Sequence, residues 1–422
     1  MKKLLFLLMF IFVPALFCAE VASKNGGFSI TCIPESHFAA IGDKIEFTVT
    51  SENNAPCTVT LTLDGGEILK SLKNVTAPQK ISYIAEKAGF IRCKVRAKNV
   101  KADCAVAVAP EKIVAAGKEP VDFDEFWKKT FEESARLPLD MKMEKLDYKG
   151  DFNYYRLSCA NINGKRAYGL LAVPIKIDKP VPLLLNFGGG EAYATEDSLR
   201  YYSRSSAKNL KRPIAVLIFH LPPYQPLAAA KDSRAMHKEF LKSLNGKPRR
   251  YITWDETLKS KEAFYARSAL VGCCRLLDYV AQMKDIDAGN IVFSGASHGG
   301  KFGAYLCCFS NRIKAAFCGV PSSCEFQAYN DERNSSVVRE WSKHLDIINY
   351  YDLVWCARRI KCPVLISVGF VDDSCPPTGV YAFYNELKSP KQIYHKVDYG
   401  HSGAPDDYEQ TVWNFLLESI EK

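Results

Sequence analysis

The chain has 422 residues, 47% of them hydrophobic and 24% charged, with a formal net charge of +9. That balance is ordinary for a soluble protein, and the length allows two or three domains around a large core. The mild basic excess is spread over the chain and favours solubility, and no nucleic-acid partner is expected: no Lys/Arg cluster is interleaved with aromatics, and Lys211-Arg212 and Arg249-Arg250 read as solvated loops.

At the start, Lys2 and Lys3 precede the uncharged stretch from Leu4 to Phe17, and small or polar residues follow. This is the pattern of a secretory signal peptide over residues 1–19, and its removal lowers the charge from +9 to +7 by taking Lys2 and Lys3. The stretch carries Pro14 and falls short of the ~20 residues that span a bilayer, so stable membrane insertion is not expected. Cys18 suggests a lipoprotein less well, because bulky Phe17 stands where a small residue should precede a lipidated cysteine. The expected location is secreted or periplasmic.

Residues 27–110 alternate polar and apolar side chains in short runs, such as Lys44-Ile-Glu-Phe-Thr-Val-Thr50 and Gly89-Phe-Ile-Arg-Cys-Lys-Val-Arg96, with Asp64-Gly-Gly66 as a turn. The spacing predicts a small all-β, immunoglobulin-like sandwich, which packs against or spaces the rest of the chain more readily than it binds carbohydrate. Cys32, Cys57, Cys93 and Cys104 lie on its strands and admit one disulfide. The ten later cysteines mostly fall in apolar segments as small buried hydrophobes, and spacings such as Cys318 to Cys324 are too wide for zinc pairs, so neither metal nor cofactor is expected. A linker follows at about 110–120.

Residues 111–422 form the second predicted unit. Asp122-Phe-Asp-Glu-Phe-Trp127 opens an amphipathic helix with Asp122 as its cap. Strand-like runs then begin at Tyr154, Ala167, Val181, Ile214, Ile291, Ala315, Val364 and Gln392, with helical stretches between the later ones, including 261–283 and 406–420. Strands alternating with helices predict a mostly parallel sheet covered on both faces. The polar, proline-bearing segment 221–260 is expected over a pocket mouth.

The run Ile291-Val-Phe-Ser294 leads into Gly295-Ala-Ser-His-Gly299, a nucleophile-elbow pattern with Ser297 at a sharp strand-to-helix turn. An α/β-hydrolase must then supply an acid and a histidine, in that order, after later strands. Asp372 follows the strand 362–368, with Asp373 as a fallback, and His401 sits in the glycine-flanked turn Tyr399-Gly-His-Ser-Gly403. A serine hydroxyl attacks only when a base takes its proton, and imidazole suits this because its unperturbed pKa is ~6.5. A buried carboxylate then fixes the tautomer and steadies the imidazolium. The N–H of His298 and that of Gly189, in Phe187-Gly-Gly-Gly190 after another strand, are the expected oxyanion donors; Phe187, Gly188 and Gly190 are expected against the substrate. His37 lies in the β-region, His220, His237 and His344 miss the required loop, and the His298 side chain reads as pocket lining.

Several segments together resemble the acetyl xylan esterases related to cephalosporin C deacetylase. They are Asp122-Phe-Asp-Glu-Phe-Trp127, Gly295-Ala-Ser-His-Gly-Gly300, Lys314-Ala-Ala-Phe-Cys-Gly-Val-Pro-Ser-Ser-Cys-Glu-Phe326, Tyr350-Tyr-Asp352 with Arg359-Ile-Lys-Cys-Pro363, Gly369-Phe-Val-Asp-Asp-Ser-Cys-Pro-Pro377 and Asp398-Tyr-Gly-His401. The resemblance runs from about 120 to 422. It implies an α/β-hydrolase that deacetylates small acetylated sugars, including xylo-oligosaccharides, and cephalosporin C, often as a cyclic hexamer. It also implies Ser297, Asp372 and His401 as triad. Two departures stand out. The family's usual His-Gly-Tyr becomes Phe187-Gly188-Gly189, leaving only a backbone role there, and its Arg-Gly-Gln-Gly becomes His220-Leu-Pro-Pro-Tyr224. The rival readings are a peptidase or other esterase on the same fold, and a glycan-binding protein with an inactive hydrolase domain.

Overall fold

The computed structural model describes residues 21–22, 27–52, 54–98, 100–331, 333 and 341–421. The predicted leader, residues 1–19, lies outside them.

Nine strands occupy the first part: β1 (Val21–Ala22), β2 (Phe28–Ile33), β3 (Phe38–Ala39), β4 (Lys44–Ser51), β5 (Cys57–Leu63), β6 (Glu67–Val75), β7 (Gln79–Ile84), β8 (Gly89–Ala97) and β9 (Val100–Val108). They form two sheets, one in the order β1-β2-β4-β7 and the other β3-β9-β8-β5-β6. Alternation dictates the layering: in β4, Ile45, Phe47 and Val49 are fully buried while Glu46 and Thr48 between them are half-exposed. The inward sets of both sheets meet in one core that includes Ile30, Phe47, Val59, Leu61, Val95 and Val106. The admitted disulfide is not formed, since all four cysteines here are free thiols. Cys104 instead lies beside Cys32, their sulfurs within 4.8 Å, and its proximity and that of His37 pull the Cys32 thiol down to about 6 against the opposing effect of burial.

Beyond residue 110 a nine-stranded sheet runs β10 (Lys142–Leu146), β11 (Phe152–Ala160), β12 (Arg166–Pro174), β14 (Ala215–His220), β13 (Val181–Phe187), β15 (Ile286–Ala296), β16 (Ile313–Gly319), β17 (Val364–Gly369), β18 (Lys391–Lys396). From β14 to β18 neighbouring strands are parallel, while β10, β11 and β12 extend the sheet antiparallel. Every residue of β13, β14 and β17 is buried, which is why these strands read as continuous apolar runs rather than alternating ones. Helices cover both faces. Trp127 of α1 (Phe123–Ala135), Leu276 of α4 (Tyr265–Val280) and Phe302 of α5 (His298–Phe309) belong to the core on one side; Leu199 of α2 (Glu196–Asn209) and Leu416 of the C-terminal helix Tyr408–Glu421 belong to the core on the other.

Three sequence expectations shift. The Asp122 side chain does not cap α1, because its carboxylate instead accepts from Lys261 Nζ at 2.7 Å and from the Tyr350 hydroxyl. The edge strand β10 was not expected, being exposed except at Leu146 and so lacking an apolar run. The segment 221–260 carries a helix of its own, α3 (Ala230–Ser243), before returning toward the sheet through Tyr251–Thr253 and Asp255–Leu258.

Candidate active site

Strand β15 ends at Ala296 and α5 begins at His298, so the whole reversal falls on Ser297, whose backbone sits at φ 59°, ψ −120°. A non-glycine residue holds such a conformation only when its surroundings fix it, and strain of this kind clusters at reactive sites. Here the Ser297 N–H donates to the Gly319 carbonyl at 2.8 Å, locking the turn onto β16. Gly299 lies so near the end of β13 that an added Cβ would overlap the Phe187 carbonyl oxygen. The small residues of the elbow are therefore a packing requirement.

The acid and the base arrive from the ends of β17 and β18. Their loops press backbone to backbone: a Cβ on Gly369 would stand 2.5 Å from the Gly400 carbonyl oxygen. His401 Nε2 lies 3.0 Å from Ser297 Oγ, and its Nδ1 lies 2.9 Å from Asp372 Oδ2. Asp372 is fully buried. Its other oxygen accepts the amides of Ser374 at 2.7 Å and Cys375 at 2.9 Å. A carboxylate held this way accepts only, so the imidazole carries its proton on Nδ1 and offers Nε2 to the serine hydroxyl. The fallback Asp373 pairs with Arg92 and Lys94 rather than with His401, at the cavity wall.

The His298 amide is the first of α5 and, like every first-turn amide, has no acceptor within its helix. Gly189 borders the elbow, since a Cβ there would lie 3.9 Å from Ser297 Cβ. Of the three residues expected against the substrate, only Gly190 lines the cavity in front of Ser297, which measures about 520 Å³. Phe187 is a correction: its ring is buried and stacks on Phe302, centroids 4.1 Å apart, because its place in β13 points it into the core. Gly188 lies beside Ala192, not among the cavity-lining residues.

The structure adds side chains that the sequence did not single out. Arg250 and Ile252 reach the cavity from the segment 221–260, and Tyr265, Lys301 and Trp341 line it from elsewhere. Lys301 Nζ donates to the Tyr265 hydroxyl at 2.6 Å, that hydroxyl lies 3.0 Å from His298 Nε2, and His298 Nδ1 lies 2.5 Å from the Gly190 carbonyl oxygen. The only assignment that satisfies every group runs from ammonium to hydroxyl to imidazole to carbonyl. Burial drives His298 well below its ordinary pKa, with Lys301 adding to the effect, so the ring is neutral as this relay requires. Lys301 was findable: it falls in the first turn of the helix that follows the elbow, where its amide donates to the Ser297 carbonyl at 3.0 Å. Tyr265 opens a different helix, and nothing local in the sequence connects it to the elbow.

Among the described residues there are two sets of three potential metal donors, the donor atoms within each set lying within 4.8 Å of one another. One is Asp372, Cys375 and His401, where carboxylate and imidazole already bond each other. The other is Cys32, His37 and Cys104, where His37 Nδ1 is engaged by the Ala105 carbonyl at 2.8 Å.

Residues 111–208 and 236–419 match the family model described as acetyl xylan esterase. The chain belongs to the acetyl xylan esterase family. The esterase is 28% identical over 319 residues to the acetyl esterase Axe7A of Xylanibacter ruminicola, covering 73% of this chain and 70% of that one. Among solved structures it resembles an acetyl xylan esterase from Paenibacillus sp. R4 (TM-score 0.58, 22% identity, 73% of this chain and 97% of that). It also resembles acetyl xylan esterase 1 from Thermoanaerobacterium sp. JW/SL YS485 (TM-score 0.60, 19% identity, 74% and 97%). These likenesses establish the mixed α/β architecture with its large, mostly parallel sheet, and family membership makes the protein a carboxylic-ester hydrolase. The unmatched stretch 209–235 includes His220-Leu-Pro-Pro-Tyr224, where the sequence departs from the family pattern.

Proposed function

We propose that the protein removes acetyl groups from acetylated carbohydrates such as xylo-oligosaccharides, with Ser297, His401 and Asp372 as its triad. The observation that carries this reading is the unbroken hydrogen-bonded line Ser297–His401–Asp372 at the wall of an open cavity. Ser297 Oγ attacks the acetyl carbonyl carbon while His401 Nε2 takes its proton, and Asp372 steadies the imidazolium. The oxyanion is received by the amides of His298 and Gly189. His401 returns the proton to the departing sugar hydroxyl, and water repeats the sequence to free acetate and Ser297. A cavity wall rich in polar side chains, with Tyr265 and Trp341 offering ring faces, suits a sugar better than a long acyl chain.

Residues 27–110 we read as an immunoglobulin-like sandwich and 111–422 as the hydrolase domain, with residues 1–19 directing secretion or export to the periplasm. The family resemblance supports a homo-oligomer, which light scattering on the purified protein tests.

The activity test pairs acetate release from acetylated xylo-oligosaccharides with a p-nitrophenyl ester series from acetate to octanoate. The shortest ester should be preferred, and Ser297→Ala should lower kcat by about 10⁴–10⁶. Cleavage of other esters without acetate release from sugars would overturn the substrate assignment.

A further inference from the structure

The sheets of residues 27–110 lie outside the segments shared with the family, yet they touch both loops that carry the acid and the base. The principal contact is Arg92 of β8, a fully buried guanidinium. Its Nη2 donates to the Val371 carbonyl at 2.8 Å, and its Nη1 lies 3.4 Å from the Asp372 carbonyl oxygen and 2.9 Å from Asp373 Oδ1. Two residues along the strand, and so on the same face, Lys94 Nζ reaches the same carboxylate at 3.3 Å. Asp64, in the turn after β5, accepts from the Thr378 hydroxyl just beyond the acid loop and from the Phe90 amide at 2.8 Å. The Phe90 ring meets Phe370 edge-on at 5.1 Å. On the histidine side, His37 Nε2 stands 3.8 Å from Asp398 Oδ1, three residues before His401.

We propose that this region completes the active site, and that Arg92 is a positioning residue for the acid. The inference rests on the triad reading above. Asp372 spends both carboxylate oxygens on His401 and on two following amides, so its place depends on the path of the backbone through residues 371–373. The guanidinium fork spans two successive carbonyls of that path, a match to Arg geometry that an ammonium cannot reproduce. The same fork draws Asp373 outward. Of two adjacent carboxylates, one is thereby presented to the imidazole and the other is retained as a counter-ion. Arg92 acts on catalysis only through this loop.

The test uses the full-length protein and p-nitrophenyl acetate, with circular dichroism and thermal melts confirming folding. Arg92→Met, which keeps the volume and removes every donor, should lower kcat about 10- to 100-fold with KM within twofold, and should slow fluorophosphonate labelling of Ser297 in parallel. Arg92→Lys should recover part of the loss, and Lys94→Met, which touches only Asp373, should change kcat less than threefold. A folded Arg92→Met with unchanged kcat overturns the proposal, as does a loss confined to KM. If Arg92→Met does not fold, Arg92→Lys decides: a several-fold drop in kcat at constant KM supports the positioning role, and wild-type kcat overturns it. Ser297→Ala keeps the two ideas apart. An active Ser297→Ala overturns the triad and this inference together, whereas a dead Ser297→Ala beside a fully active Arg92→Met overturns this inference alone.

Discussion

The two halves of the site are held in different ways. The elbow is fixed from within: Ser297 is forced to φ 59°, Gly299 packs against the end of β13, and a buried polar relay ties α5 through Tyr265 and His298 to the Gly190 carbonyl. The acid–base half packs its two loops on each other and is gripped in addition from outside, by Arg92 and Lys94 some 280 residues earlier in the chain and by Asp64 earlier still. Steric fixation of backbone by backbone leaves the nucleophile no alternative position. A loop held by charge and hydrogen bonds is tunable, and its hold passes through residues that the family model does not include.

The sharpest way to break this comparison is to separate the two adjacent aspartates. If the outer grip selects Asp372, Asp372→Asn should lower kcat by about 10⁴, the amide no longer holding the correct tautomer. Asp373→Asn leaves the line to His401 intact and should cost less than tenfold. Steady-state kinetics of the pair checks this, and equal losses would mean that the loop is not held in one register. On the elbow side, Gly299→Ala should destabilise the protein by about 3 kcal/mol or more, because the clash is with backbone that cannot repack. Denaturant melts measure it, and a loss below 1 kcal/mol would show that the end of β13 is free to move.

The same contrast explains what could be read from the sequence. The elbow was legible because its constraint is local: small residues are required within a few positions of Ser297, and a strand and a helix must flank it. The parallel strands were legible because burial on both faces leaves unbroken apolar runs such as β13. Chain order located Asp372 and His401. Arg92 was not legible, since an arginine between Ile91 and Cys93 reads as the outward residue of an alternating strand; only tertiary contact shows that the outward face of β8 is covered by the acid loop. Phe187 failed for the converse reason. Its neighbours along the chain are at the site, but Phe187 is the last residue of a strand buried on both faces, and its ring stacks on Phe302 in the core.

The smallest expected effect concerns Lys301, whose ammonium sits fully buried beside Ser297 with the Tyr265 hydroxyl as hydrogen-bond partner. Burial, with nearby Arg250 second, pushes it down to about 7 from an ordinary lysine value. A lysine lowered on folding binds its proton more weakly in the native state than in the unfolded chain, where it holds on to about pH 10.4. From about pH 7 upward the unfolded state therefore carries more protons, and linkage makes stability rise with pH across that window. Below pH 7 both states are protonated and the full cost of the buried charge is present. Lys301→Met keeps most of the volume and removes the charge, so its stability relative to wild type should be greatest at pH 6 and should fall by about 2–3 kcal/mol by pH 9. Taking the difference between the two proteins cancels the titration of groups that do not interact with Lys301. Urea melts at both pH values give that difference, and one that does not change with pH would mean that the ammonium is not desolvated and that the relay to Gly190 does not begin from a buried charge.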